Sequence, residues 1–250
     1  MDGYLVALSS AFFAGAINAV AGGGTLITFP TLLWLGLDPV VANITNTVAL
    51  WVGSLTGAFG FRKRFQEVKG LLLPFLLSSS AGAVVGAFLL IRTPSETFRD
   101  IVPFLILFAV LMLAGSEFLK KFLARFALEE KAFPLVLPLL LQFLTGVYGS
   151  YFGAGIGIMM LASLLLSGVH HIHSANALKN LLGFSINLLG ALLFVLSGKV
   201  SWLYALVMMP GFALGGYVGA KVSQKFSPKK VRLFVVLWGL LIGFYMLLEN

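Results

Sequence analysis

Two apolar runs in this chain are too long to cross a bilayer once, and both are broken by glycine near their centres. The first covers about residues 4–36 and contains AVAGGGTLITFP, Ala19 to Pro30. The second covers about residues 133–168 and contains YGSYFGAGIGIMM, Tyr148 to Met160. As straight helix each would measure roughly 50 Å, against a hydrocarbon core of about 30 Å. Glycine weakens a helix interior by roughly 1 kcal/mol relative to alanine. Gly22, Gly23 and Gly24, and later Gly153, Gly155 and Gly157, therefore read as breaks. Each run is expected to fold back on itself, with arms of about 17 residues and turns lying within the membrane.

Six more apolar segments, at about residues 40–61, 70–91, 101–119, 175–197, 201–220 and 231–248, have the length of single spans. The chain is 59% hydrophobic and 10% charged, and its mean hydropathy is +1.01. Soluble domains carry about 25% charged residues, so a soluble enzyme or regulatory domain is excluded. The opening MDGYLVALSSAFFAGAINA has the small residues of a signal peptide. It carries Asp2 and no Lys or Arg, and reads instead as the first helix. Without cysteine there is no disulfide and no thiolate metal site. A net charge of +8 suits basic cytoplasmic loops better than nucleic acid.

The loops set the topology. Arg62, Lys63, Arg64 and Lys69 form one basic cluster; Lys120, Lys121, Arg125 and Lys131 form a second; Lys221, Lys225, Lys229, Lys230 and Arg232 form a third. Basic loops stay on the cytoplasmic side, and all three can do so only if the 133–168 run crosses an even number of times. The reading is an all-α polytopic membrane protein with both termini outside. It has two inverted repeats, 1–125 and 126–250, of five elements each. Paired stretches support the duplication: GAINAVAGGGTLITFPTLLWLG with GVYGSYFGAGIGIMMLASLLLSG, ANITNTVALWVGSLTGAFGF with ANALKNLLGFSINLLGALLFV, and PFLLSSSAGAVVGA with PGFALGGYVGA. Gly82 with Gly86, and Gly215 with Gly219, have the spacing that lets membrane helices pack closely.

Matched breaks in an inverted repeat point to a transporter's binding site. Free N–H groups at helix N-termini favour an anion. Lys179 is the one basic residue placed well inside a span, either as countercharge for an anionic substrate or as a lysine reaching the cytoplasmic interface. Asn180 and Asn187, seven residues apart, share a helical face, with Asn176 nearby. In the first half Asn43, Thr45 and Asn46 are the counterparts, Thr45–Asn46 falling opposite Lys179–Asn180. These amides and hydroxyls serve either as donors to an oxyanion or as polar contacts between helices. Tyr151, beside the second break, lines the cavity or packs against it. His170, His171 and His173 have no Cys or carboxylate close by, which argues against a metal site; His173 could relay protons. No catalytic pair and no cofactor motif stands out.

The first-half stretch from NAVAGGGTLITFP to FGFRKR and the second-half stretch GVYGSYFGAGIGIMMLASLLLSGVHHIHSANALKNLL resemble the sulfite exporter TauE/SafE family of membrane transporters along essentially the whole chain. The resemblance implies export of sulfur-containing anions (sulfite, thiosulfate or small organosulfonates) across a bacterial cytoplasmic membrane. By position it implies Gly22, Gly23, Gly24, Thr45, Asn46, Gly153, Gly155, Lys179 and Asn180 as site elements. The first-half motif has no basic residue opposite Lys179, so a two-lysine clamp is not available. An anion channel and a structural membrane protein are the alternative functions. The expected partners are the lipid bilayer and a small anionic substrate.

Overall fold

The structure, a computed structural model, describes residues 2–20, 22–60, 68–127, 134–169, 171–222 and 228–249. Among them the chain is all-α, with ten helices: α1 (Asp2–Val20), α2 (Thr25–Trp34), α3 (Pro39–Gly60), α4 (Lys69–Arg92), α5 (Ser95–Ala127), α6 (Val136–Tyr151), α7 (Ile156–Leu166), α8 (Ile172–Leu196), α9 (Trp202–Val222) and α10 (Pro228–Glu249). Five stretches, within α4, α5, α8, α9 and α10, are long and apolar enough to cross a membrane. The α3 helix has 22 residues, but it carries Asn43, Thr45, Asn46 and Thr47 in its first half, all buried.

Both glycine-containing runs break as expected, though into unequal arms. α1 and α2 have 19 and 10 residues; α6 and α7 have 16 and 11. At about 1.5 Å per residue the two short helices are only about 15–17 Å long, half of a hydrocarbon core. Their ends explain why. The apolar run continues through a glycine turn that already stops the helix: Gly36 and Gly168 both have φ of +88°. The Leu37 N–H reaches back to the Leu32 carbonyl at 3.1 Å, and the Val169 N–H to that of Leu164 at 3.0 Å. These closures satisfy carbonyls that would otherwise be orphaned at a helix end. Asp38 then caps α3 by accepting the Val40 N–H at 3.0 Å, with Pro39 in the first helical position.

One further boundary differs from expectation. The stretch from Lys120, read above as a basic loop, continues α5 to Ala127, giving a helix of 33 residues. Phe118, Leu119, Phe122, Leu123 and Phe126 keep helical spacing through it. The side chains of Lys120, Lys121 and Arg125 lie outside the described residues, as do Arg62, Lys63, Arg64, Lys131 and Lys225.

Helices from the two halves of the chain interlock. α1 packs along α9, and α6 along α4; α3 lies against α8 and α9, α8 also against α4, and α5 against α10. Replacing each helix by the one five places along reproduces these pairs. Small residues make the closest contacts possible. A Cβ on Gly211 would stand 2.6 Å from the Leu8 carbonyl oxygen, one on Gly15 would stand 2.7 Å from that of Phe212, and one on Gly53 would stand 2.8 Å from the same atom. Gly215 meets the Phe12 carbonyl, while Gly82 and Gly86 meet those of Phe143 and Val147. Between lipid-like surfaces, packing of this kind rather than hydrophobic burial holds helices together. Outward side chains such as Leu77, Leu111, Leu206 and Leu237 are exposed and apolar, as a lipid-facing surface requires.

This packing gives a direct test. Gly215→Ala places a methyl against the Phe12 backbone and is expected to destabilise the fold by about 1–3 kcal/mol. Gly115→Ala, where a Cβ would meet nothing within 4 Å, is expected to be neutral or stabilising by up to about 1 kcal/mol. Thermal unfolding in detergent compares the two.

Candidate functional site

The two breaks come together. Gly22 and Gly23 have φ of +77° and +92°, and Gly153 and Gly155 of +84° and +77°, a region that other L-residues enter only with strain. At each break the long helix closes in the same way, by Gly22 N–H to the Ile17 carbonyl and Gly153 N–H to the Tyr148 carbonyl, both 3.1 Å. Gly24 and Gly155 are the N-cap residues of the short helices, which therefore start without side-chain caps. A Cβ on Gly22 would lie 3.9 Å from Gly157 Cα. The end of α1 therefore abuts the first turn of α7.

Beside this junction is a cleft of about 590 Å³, part of it open to solvent. From α8 it is lined by Lys179, Asn180, Gly183 and Asn187, spaced at intervals that put them on one face. From α7 come Ile156, Gly157 and Met160, with Gly153 just before them. The α1 helix contributes Gly15, Asn18 and Ala19, followed by Gly22, and α3 contributes Leu50, Gly53 and Ser54. The glycines leave room for longer neighbours: a Cβ on Gly157 would touch Lys179 Cδ at 3.5 Å. Lys179 is 8% exposed and sits two turns into α8. Asn187 Nδ2 donates to Ser54 Oγ at 2.9 Å, tying α8 to α3 across the cleft.

Other residues expected at the site hold the scaffold. Asn46, 1% exposed, accepts from Thr28 Oγ1 at 2.6 Å and donates to Thr25 Oγ1 at 3.5 Å, binding α3 to the start of α2. Thr45 Oγ1 accepts the Ser201 N–H at 3.0 Å and so anchors the turn before α9. Asn43 Nδ2 donates to the Tyr151 carbonyl at 2.7 Å, at the C-terminus of α6. The Tyr151 ring stacks edge-on to Phe98 at 5.6 Å, and its hydroxyl is 3.3 Å from Thr93 Oγ1. Gly24 backs onto the Ala14 carbonyl, Gly23 onto Leu113 and Val235, and Gly155 onto Ala109. Asn176 is half-buried on α8 outside the cleft wall. The side chain of His173 and all of His170 lie outside the described residues.

Toward the end of the bundle marked by Asp38 and Ser95 the core is aromatic. Phe29 meets Phe152 at 5.5 Å and Phe98 at 6.3 Å, both edge-on, and all three are buried. The cleft lies farther along α3, two to three turns past Asn43.

Sequence reasoning missed Asn18 and Ser54. Asn18 had a visible signal, a lone amide one turn before a glycine break. Ser54 carries no such signal, because the matching of the two halves points to Thr45 and Asn46 instead. The cleft draws its α3 wall from residues lower on that helix. The structural role of Asn46 yields a prediction. Asn46→Ala leaves the buried Thr25 and Thr28 hydroxyls short of a partner and is expected to cost about 1–3 kcal/mol of stability. Asn176→Ala is expected to cost under about 0.5 kcal/mol; unfolding midpoints in detergent measure both.

The chain matches the sulfite exporter TauE/SafE family over residues 7–246. It is 31% identical over 241 residues to a probable membrane transporter protein, ORF9, of Sinorhizobium sp, covering 96% of this chain and 90% of that one. A probable membrane transporter protein of Haemophilus influenzae is 33% identical over 233 residues, covering 90% and 87%. The probable membrane transporter protein YfcA of Escherichia coli K12 is 29% identical over 234 residues, covering 91% and 83%. No solved structure matches the chain. A multi-pass helical protein whose relatives are named as transporters, not enzymes, this chain belongs to the sulfite exporter TauE/SafE family.

Proposed function

We propose that the chain is a secondary transporter exporting a small sulfur-containing anion by alternating access, with the cleft beside the two breaks as its substrate site. The observation that carries this reading is the placing of Lys179, a buried cation, against the first turn of α7 and among Asn18, Ser54, Asn180 and Asn187. Ionisable side chains inside a membrane bundle mark substrate and ion pathways. The uncapped first turn of α7 supplies N–H donors, and the amides supply geometry. Half-helices meeting at such a site are the usual means by which transporters hold a small ion.

The two halves act as inverted repeats in this proposal, 1–125 and 126–250, and the exchange of packing partners between them supports it. Where α7 presents Gly157 and Met160 to the cleft, the matching places on α2 are held by Leu26 and Phe29, both buried. Alternating access would swap these environments, opening the Phe29 side as the Met160 side closes. The protein would sit in a bacterial cytoplasmic membrane with both termini outside. There the inside-negative potential drives anion export by about 2.3 kcal/mol per charge per 100 mV.

Proteoliposomes test the proposal. Labelled sulfite should exchange across the membrane and be accelerated by unlabelled sulfite on the far side, and Lys179→Gln should lower the rate at least tenfold. Equal rates in wild type and variant would remove Lys179 from the site. Transport without trans-acceleration would make the protein a channel.

A further inference from the structure

Two buried oxygens near the second break have no hydrogen-bond partner among the described residues: Asn43 Oδ1 on α3, and Ser150 Oγ in the last turn of α6. Their residues are 0% and 1% exposed. The packing brings them to one place. The nitrogen of the Asn43 amide donates at 2.7 Å to the carbonyl of Tyr151, the residue after Ser150. Opposite, α8 has no side chain at Gly190, where a Cβ would stand 2.6 Å from Ser150 Oγ and 3.5 Å from Thr47 Cγ2. Thr47 lies one turn after Asn43 on the same face of α3. The α3 face, the Ser150 hydroxyl and the bare backbone of α8 therefore border one small gap. None of these four residues lines the cleft. Buried polar atoms are almost always paired, so two orphans beside a space that a single methyl group would fill point to a ligand.

We propose that this gap is a binding site for a small monovalent cation of the sodium class, held by Asn43 Oδ1, Ser150 Oγ and the negative end of α6. The groups it offers carry electron pairs: an amide oxygen, a hydroxyl, and a helix C-terminus with about half a negative charge. An anion would meet the wrong sign there. The Tyr148 and Tyr151 carbonyls already accept N–H groups, so the end of α6 contributes through its field more than through those two oxygens. Oxygen donors suit hard cations. Divalent ions of that kind are usually held by carboxylates, and α3, α6 and α8 contain no Asp or Glu, which leaves the alkali ions. Helix ends at breaks are where transporters coordinate such ions. Lys179 is about 16 Å along α8 from Gly190, so the site stands apart from that lysine and does not depend on the anion reading of the cleft. Gly153, three residues after Ser150, does line the cleft. A cation joining α3 to the last turn of α6 would thus fix the second break from behind.

Thermal unfolding of the purified full-length chain in detergent tests the proposal, with sodium, potassium and choline chloride compared at equal ionic strength. Relative to choline, sodium should raise the wild-type midpoint saturably, by roughly 3 °C at saturation, and potassium should raise it less. Ser150→Ala removes a ligand but no existing hydrogen bond. In choline it should match wild type, while the sodium concentration giving half the shift rises at least tenfold. If that variant does not fold, Ser150→Cys replaces it, since sulfur is a poor ligand for a hard cation. Equal wild-type midpoints in the three salts overturn the proposal and leave a bridging water as the partner of the two oxygens. A sodium shift retained in full by the Ser150 variant also overturns it, because the ion then binds elsewhere. Neither result bears on the anion cleft.

Discussion

Backbone N–H and C=O groups find no water in a hydrocarbon layer, and this constraint governs the whole structure. A helix satisfies them by itself; a break does not. Ending two long helices deep in the bundle therefore requires close local closure at each break. The chain provides it with glycine in the left-handed region, where Gly22 and Gly153 turn back to the carbonyls of Ile17 and Tyr148. The polar backbone left over is surrounded by protein rather than lipid. α7 sits between α6, α8 and α5, and α2 between α1, α3 and α10.

That enclosure depends on helices approaching more closely than side chains usually permit. Phe212 shows how. Its carbonyl faces Gly15 of α1 and Gly53 of α3, both too close to allow a Cβ, so α9 brings together two helices that wall the cleft. On the other side, Gln142 of α6 donates to Ser79 of α4 at 2.8 Å and accepts from Ser163 of α7 at 2.7 Å. One interface is made by small residues and backbone, the other adds a fully paired polar chain. Both hold the short helices in place, so that Gly157 and Lys179 can face one another.

Much of this was legible in the primary structure, and the misses have a common origin. The all-α class, the two breaks and the α8 face of Lys179, Asn180 and Asn187 follow from hydropathy, glycine placement and helical period, which are local properties. The unequal arms were missed because Leu35–Gly36 and Ser167–Gly168 are apolar enough to pass as helix while their glycines end it. Thr45 and Asn46 were open to two readings, donors for a ligand or polar contacts between helices. A polar residue in a membrane helix has the same composition whether it faces a cleft or a neighbouring hydroxyl, and only the position of Thr28 tells them apart.

From residue order alone came the membrane environment, the number and kind of elements, the location of the breaks and the lysine that lines the cleft. Each depends on the chemistry of a residue and its near neighbours along the chain. Which polar groups line a common space was decided by tertiary packing. Asn18, Ser54, Gly157 and Lys179 belong to four different helices, and helix rotation and close approach between distant segments bring them to one cleft. That juxtaposition is a property of interlocked surfaces, which no single segment encodes.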